Sequence, residues 1–114
     1  VQDMRQTAVA LQARTKAILR VLTNGDSSLA IGGQHALAPV TTIGRASYST
    51  IPLDSQFASN EHAQLLYRQG QWWLEDRQSR NGALINGVVV TEPMILTTGD
   101  LIAIGDIQLQ FEQH

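Results

Sequence analysis

Five side chains in this sequence carry the donors and charge that would hold a polyanionic group: Arg45, Ser59, Asn60, Arg80 and Asn81. Arg45 follows Gly44, and a residue without a Cβ lets backbone and guanidinium come close to a ligand. Ser59 offers a short neutral hydroxyl, and Asn60 an N–H beside it. Arg80, in a second turn, adds positive charge. Asn81 has an amide that both donates and accepts, which suits a peptide main chain. Other chemistries are open to neighbouring residues. Ser59 and His62 could be nucleophile and base, yet no third residue is marked to orient the imidazole, and a histidine bracing a loop is the commoner use. Arg45 on its own would be a solvated arginine; its company raises it. His35, His62 and His114 lack the spacing of metal ligands. With no cysteine in the chain there is no disulfide framework and no thiolate metal site. No catalytic residue, metal or cofactor is expected.

Groups of this kind need rigid support, and loops on a scaffold of short strands provide it. Residues 17–22 read as a strand that ends at the Asn24-Gly25 turn signal. The stretch from His35 to Gly44 is apolar and β-branched towards its end. Ile51-Pro52-Leu53 is short, and its proline points to an edge position. His62 to Tyr67 alternates, and after the turn at Arg68-Gln69-Gly70-Gln71 comes Trp72 to Asp76, whose two tryptophans must face opposite sides of a sheet. Residues 83–85 lead into Asn86-Gly87, a type I′ hairpin signal, and Val88 to Val90 return. Thr98-Gly99-Asp100 turns into Leu101 to Gly105, and Ile107 to Phe111 alternates strictly. Short strands at regular intervals with turn chemistry between them predict an all-β sandwich.

The chain has 114 residues, 43% of them apolar and 16% charged, enough for one domain with a single core. Its net charge is −2, but the charge is unevenly placed. Arg5, Arg14, Lys16 and Arg20 against Asp3 give residues 1–20 a charge of +3; four arginines against nine acids give residues 21–114 a charge of −5. An acidic body without a basic face argues against nucleic acid as a partner. No apolar run approaches the roughly 20 residues that span a bilayer. The start at Val1 lacks the basic and apolar regions of a secretory signal, and it suggests a piece of a longer, cytoplasmic protein.

Four sets of residues occur in order: Ile43-Gly44-Arg45; Ser59-Asn60-Glu61-His62-Ala63; Trp73 to Asp76 with Ser79-Arg80-Asn81-Gly82; and Asn86-Gly87 followed by Leu96 to Gly105. Together, over about residues 17–112, this series resembles the forkhead-associated (FHA) domain. The resemblance implies an eleven-stranded β-sandwich with its binding loops at one end, reading phosphothreonine in a partner's flexible segment. A phosphate ester brings nearly two negative charges and three strong acceptors, which the donors above would meet. By the same resemblance Arg45 and Ser59 look like the phosphate contacts, Asn60 and Arg80 flank them, and Asn81 grips the ligand main chain. Gly44, His62, Gly82, Asn86 and Gly87 look like structural support: His62 bracing the loop that presents Ser59, Asn86 and Gly87 forming a hairpin that also shapes the rim. Two positions depart from the pattern. Ala83 stands where the family usually has threonine, and Thr50 where an acid is common.

The expectation is a phosphothreonine-dependent interaction module and not an enzyme, with a phosphothreonine-containing protein or peptide as partner and oligomeric state left open. The alternative is a phosphate-independent assembly or dimerisation module on the same fold; the presence of both Arg45 and Ser59 favours the first. Residues 1–16 form a separate element. Val1, Met4, Ala8, Leu11 and Thr15 recur at helical spacing. A helical linker from a preceding domain, a cap on the sandwich and a surface for a partner helix or membrane are its three readings, the first preferred, with the domain proper at residues 17–114.

Overall fold

A computed structural model describes residues 16–114 of the chain, so the helical stripe expected before Lys16 lies outside the described residues. Eleven strands follow: β1 (Ala17–Asn24), β2 (Gln34–Ala36), β3 (Val40–Gly44), β4 (Ile51–Pro52), β5 (Ala63–Arg68), β6 (Gln71–Asp76), β7 (Leu84–Ile85), β8 (Val88–Val89), β9 (Met94–Leu96), β10 (Leu101–Ile104) and β11 (Ile107–Gln113). They form two sheets, ordered β2-β1-β11-β10-β7-β8 and β4-β3-β5-β6-β9. The expected eleven-stranded all-β sandwich is what the chain adopts.

Period-two burial shows why these segments are strands. In β1, Ala17, Leu19 and Val21 point inward; in β11, Ile107, Leu109 and Phe111 do. β6 buries Trp72 and Leu74 and turns Trp73 and Glu75 outward, so the two tryptophans part as expected. Trp72 is the largest core residue, with the Tyr67 ring edge-on at 5.4 Å and Phe111 at 6.1 Å between centroids. Truncating a core leucine such as Leu65 or Leu74 would cost about 2–5 kcal/mol.

The apolar stretch from His35 to Gly44 is divided. Pro39, which cannot donate to a ladder, marks the crossing from one sheet to the other, so β2 and β3 belong to different layers. Pro52 lies on β4, the edge of the second sheet, paired in parallel with β3. Asn86 and Gly87 both have positive φ, 51° and 82°, as the type I′ hairpin requires.

The strand directions sort the connections into two groups. β3 ends, β5 begins, β6 ends and β7 begins at one end of the sandwich, together with the β10–β11 turn. The first described residues and the end of β11 lie at the other: Ala17 pairs with Gln113, and the His114 N–H donates to the Lys16 carbonyl at 3.0 Å.

Candidate functional site

Three loops converge at the first of these ends: residues 45–50, 53–62 and 77–83. Gly44, the last residue of β3, lets the first two meet. A Cβ there would collide with the Asn60 carbonyl oxygen, and backbone cannot yield as a flexible side chain can. With that approach made, the Arg45 N–H donates to the Ser59 carbonyl (2.9 Å) and the Ala46 N–H to that of Asn60 (3.3 Å). The Leu53 N–H returns to the Gly44 carbonyl at 2.8 Å.

His62 ties the third loop in. It is fully buried. Its Nδ1 accepts the Ser59 backbone N–H at 3.0 Å, which places the ring proton on Nε2; that N–H donates to the Gly82 carbonyl at 2.8 Å. Both ring nitrogens are thus used on backbone, and neither is bonded to the Ser59 hydroxyl, so the geometry gives a nucleophile–base pair no support. The Ser59 Oγ instead accepts the Arg80 backbone N–H at 3.0 Å. Its own proton has no acceptor among the described residues. Asp76 shapes the third loop: its carboxylate accepts the Ser79 N–H and hydroxyl, and Ser79 Oγ accepts the Gly82 N–H at 3.0 Å.

These ties bring Arg45, Ser59, Asn60, Arg80 and Asn81 onto the wall of one cleft of about 220 Å³, which Gln56, Phe57 and Ala58 complete. Arg45, Asn60, Arg80 and Asn81 are exposed and Ser59 is half-buried. Among the described residues no carboxylate pairs with either Arg45 or Arg80, whereas Arg20 and Arg77 are bound to Glu112 and Glu75. The cleft therefore presents two uncompensated cations and a hydroxyl whose oxygen is already held. Asn81 spends one amide hydrogen on the Phe57 carbonyl (2.9 Å), and its Oδ1 accepts no hydrogen bond from the described residues. Phe57 leans on Gly105, where any Cβ would press against the Phe57 side chain.

Asn86 and Gly87 stand apart from this cleft. They sit at the far end of β7, where Asn86 donates to Asp100 (3.0 Å) and accepts the Leu101 N–H (2.9 Å). The hairpin role is present; a place on the rim is not.

Sequence reading overlooked the outer brace of the second loop. Asp26 accepts the Gln56 N–H at 2.9 Å, and Asp54 accepts the Ser28 N–H at 2.8 Å, a reciprocal tie between the β1–β2 and β4–β5 connections. Both carboxyls sit below the usual aspartate range: Asp26 through the Ser55 hydroxyl and then the Gln56 N–H, Asp54 through the backbone N–H and hydroxyl of Ser28. The signals were short Asp/Ser clusters beside a turn, a local pattern that does not say which distant loop it binds. The Asp76-x-x-Ser79 spacing is a readable turn signature.

Comparison with known proteins places this arrangement. The FHA domain family model matches residues 41–105, more than half of the chain. The chain belongs to the FHA domain family. It is 34% identical over 97 residues to the FHA domain-containing protein FhaB of Mycolicibacterium smegmatis, a match covering 82% of this chain and 59% of that protein. It is 38% identical over 76 residues to the oxoglutarate dehydrogenase inhibitor of Corynebacterium efficiens, covering 64% and 51%. The chain thus spans about half the length of the curated relatives it matches. Among solved structures, this FHA domain superposes on one from a study of phosphothreonine-dependent FHA domain interactions with a TM-score of 0.74, 25% identity and coverage of 88% and 98%. It superposes on Mycobacterium tuberculosis EmbR, solved with a low affinity phosphopeptide, with a TM-score of 0.77, 27% identity and coverage of 96% and 29%.

Proposed function

We propose that this FHA domain binds phosphothreonine in flexible segments of partner proteins through the cleft between its three convergent loops. One observation carries the reading: two arginines without a carboxylate partner among the described residues and the donor-ready Ser59 hydroxyl share a single exposed cleft. Arg45 and Ser59 take the phosphate oxygens, Arg80 and Asn60 flank them, and Asn81 meets the ligand main chain with the acceptor its bond to Phe57 leaves over. The structures above that were solved with, or studied for, phosphothreonine or phosphopeptide binding support the same assignment. Ala58 and Phe57 give the cleft apolar surface beside its donors, a place for the threonine methyl.

The role is binding and not catalysis, since His62 is spent on two backbone groups and holds no proton relay to Ser59. Residues 17–114 are the binding unit. Phosphothreonine is made where kinases find ATP, so the module works in the cytoplasm; no helix among the described residues is long and apolar enough to cross a membrane. Calorimetry with paired threonine and phosphothreonine peptides from a degenerate library tests the reading. Binding confined to the phosphorylated member is the expected result, and equal affinity for both would overturn it.

A further inference from the structure

The outer face of the second sheet carries an apolar row away from the convergent-loop cleft. The ladder registers place Val40 of β3 opposite Leu66 of β5, Leu66 opposite Trp73 of β6, and Trp73 opposite Ile95 of β9. All four point away from the core, because their neighbours Thr41, Leu65, Trp72, Leu74 and Leu96 point into it. Val40 is 56% exposed and Ile95 42%. Four apolar side chains aligned across four strands form a contiguous patch, the kind that marks an interaction surface. Its two flanks carry opposite charge. On one flank is Arg68 of β5, whose guanidinium lies 5.8 Å over the Trp73 ring and has no carboxylate partner among the described residues. On the other flank, Glu75 of β6 shares a row with Gln64 and Thr42. Its Oε1 accepts from the Gln64 amide (3.3 Å) and from Arg77 (3.1 Å), while its Oε2 accepts nothing from the described residues.

We propose that two copies of this chain pack through this face, about a two-fold axis that runs along the apolar row. A closed dimer needs a patch complementary to itself. The face can be laid on its own copy in two ways. With the axis along the strands, midway between β5 and β6, Arg68 meets Gln71 and Glu75 meets Gln64, so no opposite charges come together. With the axis along the row, each flank turns over onto the other. Arg68 of one copy then faces the Gln64–Glu75 row of the other copy. Glu75 stands one strand across, about 4.8 Å, within the reach of an arginine side chain, and its Oε2 is the acceptor. The symmetry makes this contact twice. The apolar row meanwhile lies on itself, with Trp73 against Trp73, as in aligned packing of two sheets. The row crosses three inter-strand gaps, about 14 Å, so the contact is a small one and the dimer weak. The cleft lies beyond the Glu75 end of these strands. Turning one copy over therefore sends the two clefts to opposite ends, where one dimer serves two separate ligands.

Sedimentation of the full chain across the micromolar to millimolar range tests this. The unaltered protein should pass from monomer to dimer as its concentration rises. Arg68→Glu should weaken association at least about ten-fold, because like charges then meet twice, and combining it with Glu75→Lys should restore association to within about two-fold. Ile95→Asp, at an exposed position on the edge strand β9, should keep the chain monomeric throughout. Phosphopeptide affinity should be the same in all four proteins, so that a failure of the dimer and a failure of the cleft assignment read separately. A dimer indifferent to Arg68→Glu, or a double variant no better than the single one, would overturn the proposal. So would a chain that stays monomeric at every concentration. Trp73 would then assign the row: resistance to acrylamide would mean cover by another part of the chain, and ready quenching a surface for a different protein.

Discussion

Two Asn-Gly pairs stand five residues apart at the two ends of β7, and they do different work. Asn81-Gly82 belongs to the convergent loops: the amide of Asn81 crosses to the Phe57 carbonyl, and the carbonyl of Gly82 takes the His62 N–H. Asn86-Gly87 closes a hairpin, with both residues at positive φ and the Asn86 side chain bound to Asp100 and the Leu101 N–H. The first pair is held by loops distant in sequence and leaves an acceptor for a ligand. The second is satisfied within its own sheet and leaves nothing. The dipeptide is only turn chemistry; the partner of the side-chain amide decides whether a turn can also bind.

This contrast can be broken or sharpened experimentally. The largest effect belongs to the cleft's cation. Arg45→Ala should weaken phosphopeptide binding by roughly 2–4 kcal/mol through loss of a charge-assisted contact. The melting temperature should hardly move, because the side chain is exposed and has no ion-pair partner among the described residues. Calorimetry and thermal melts on the same preparation check both.

The two asparagines should then separate. Asn81→Ala is expected to cost about 1–2 kcal/mol of affinity for phosphothreonine and phosphoserine peptides alike, with a smaller loss of stability. Asn86→Ala should do the reverse. About 1–2 kcal/mol of unfolding free energy should go as the Leu101 N–H loses its acceptor and a residue at φ 51° loses its local support, while affinity stays as it was. A loss of binding in Asn86→Ala would return that hairpin to the rim.

Smaller still is the preference for threonine. Burying one methyl group contributes about 0.8 kcal/mol, and a stiff β-branched side chain adds to this by losing less rotamer freedom. Phosphothreonine should bind several-fold tighter than phosphoserine in one peptide, and equal affinities would mean that Phe57 and Ala58 offer no niche.

The least effect concerns pH. Asp26 and Asp54 titrate below the ordinary aspartate range in the folded state. The stability they lend is therefore present above the unfolded value of about 3.9 and fades as pH falls through the lowered folded values. Amide exchange at Ser28 and Gln56 should accelerate in that acidic window and not above it.

Much of this molecule was legible in its sequence, for physical reasons that differ by region. The strands were readable because one face is buried: Leu109 and Phe111 alternate with Gln108, Gln110 and Glu112 over a whole strand, and β1 stood out as a mostly apolar run ended by a turn signal. The Asn86-Gly87 hairpin was readable because few residues accept positive φ. The cleft residues were recognisable only as an ordered set, since Arg45 alone or Ser59 alone signifies little. What stayed hidden is long-range polar pairing. Nothing in the composition of Asp26 says that it binds a loop thirty residues on, and Phe57 reads as one more apolar residue until Gly105 is found beneath it. The placement of Asn86 and Gly87 was misread because loop proximity depends on which end of a two-residue strand a turn occupies.

The pairing of Ala17 with Gln113 and the bond from His114 to Lys16 mean that the polypeptide enters and leaves this unit at almost one point. The module can therefore be spliced into a loop of a host protein or strung between neighbours without straining either junction. Because that point lies opposite the cleft between the three convergent loops, the attachment works like the handle of a cup: wherever the host grips it, the mouth faces outward. The same closure has a cost in assembly. β1 and β10 both hydrogen-bond to β11, so the first sheet cannot be completed until the last strand has left the ribosome, and such non-local pairing makes folding slow.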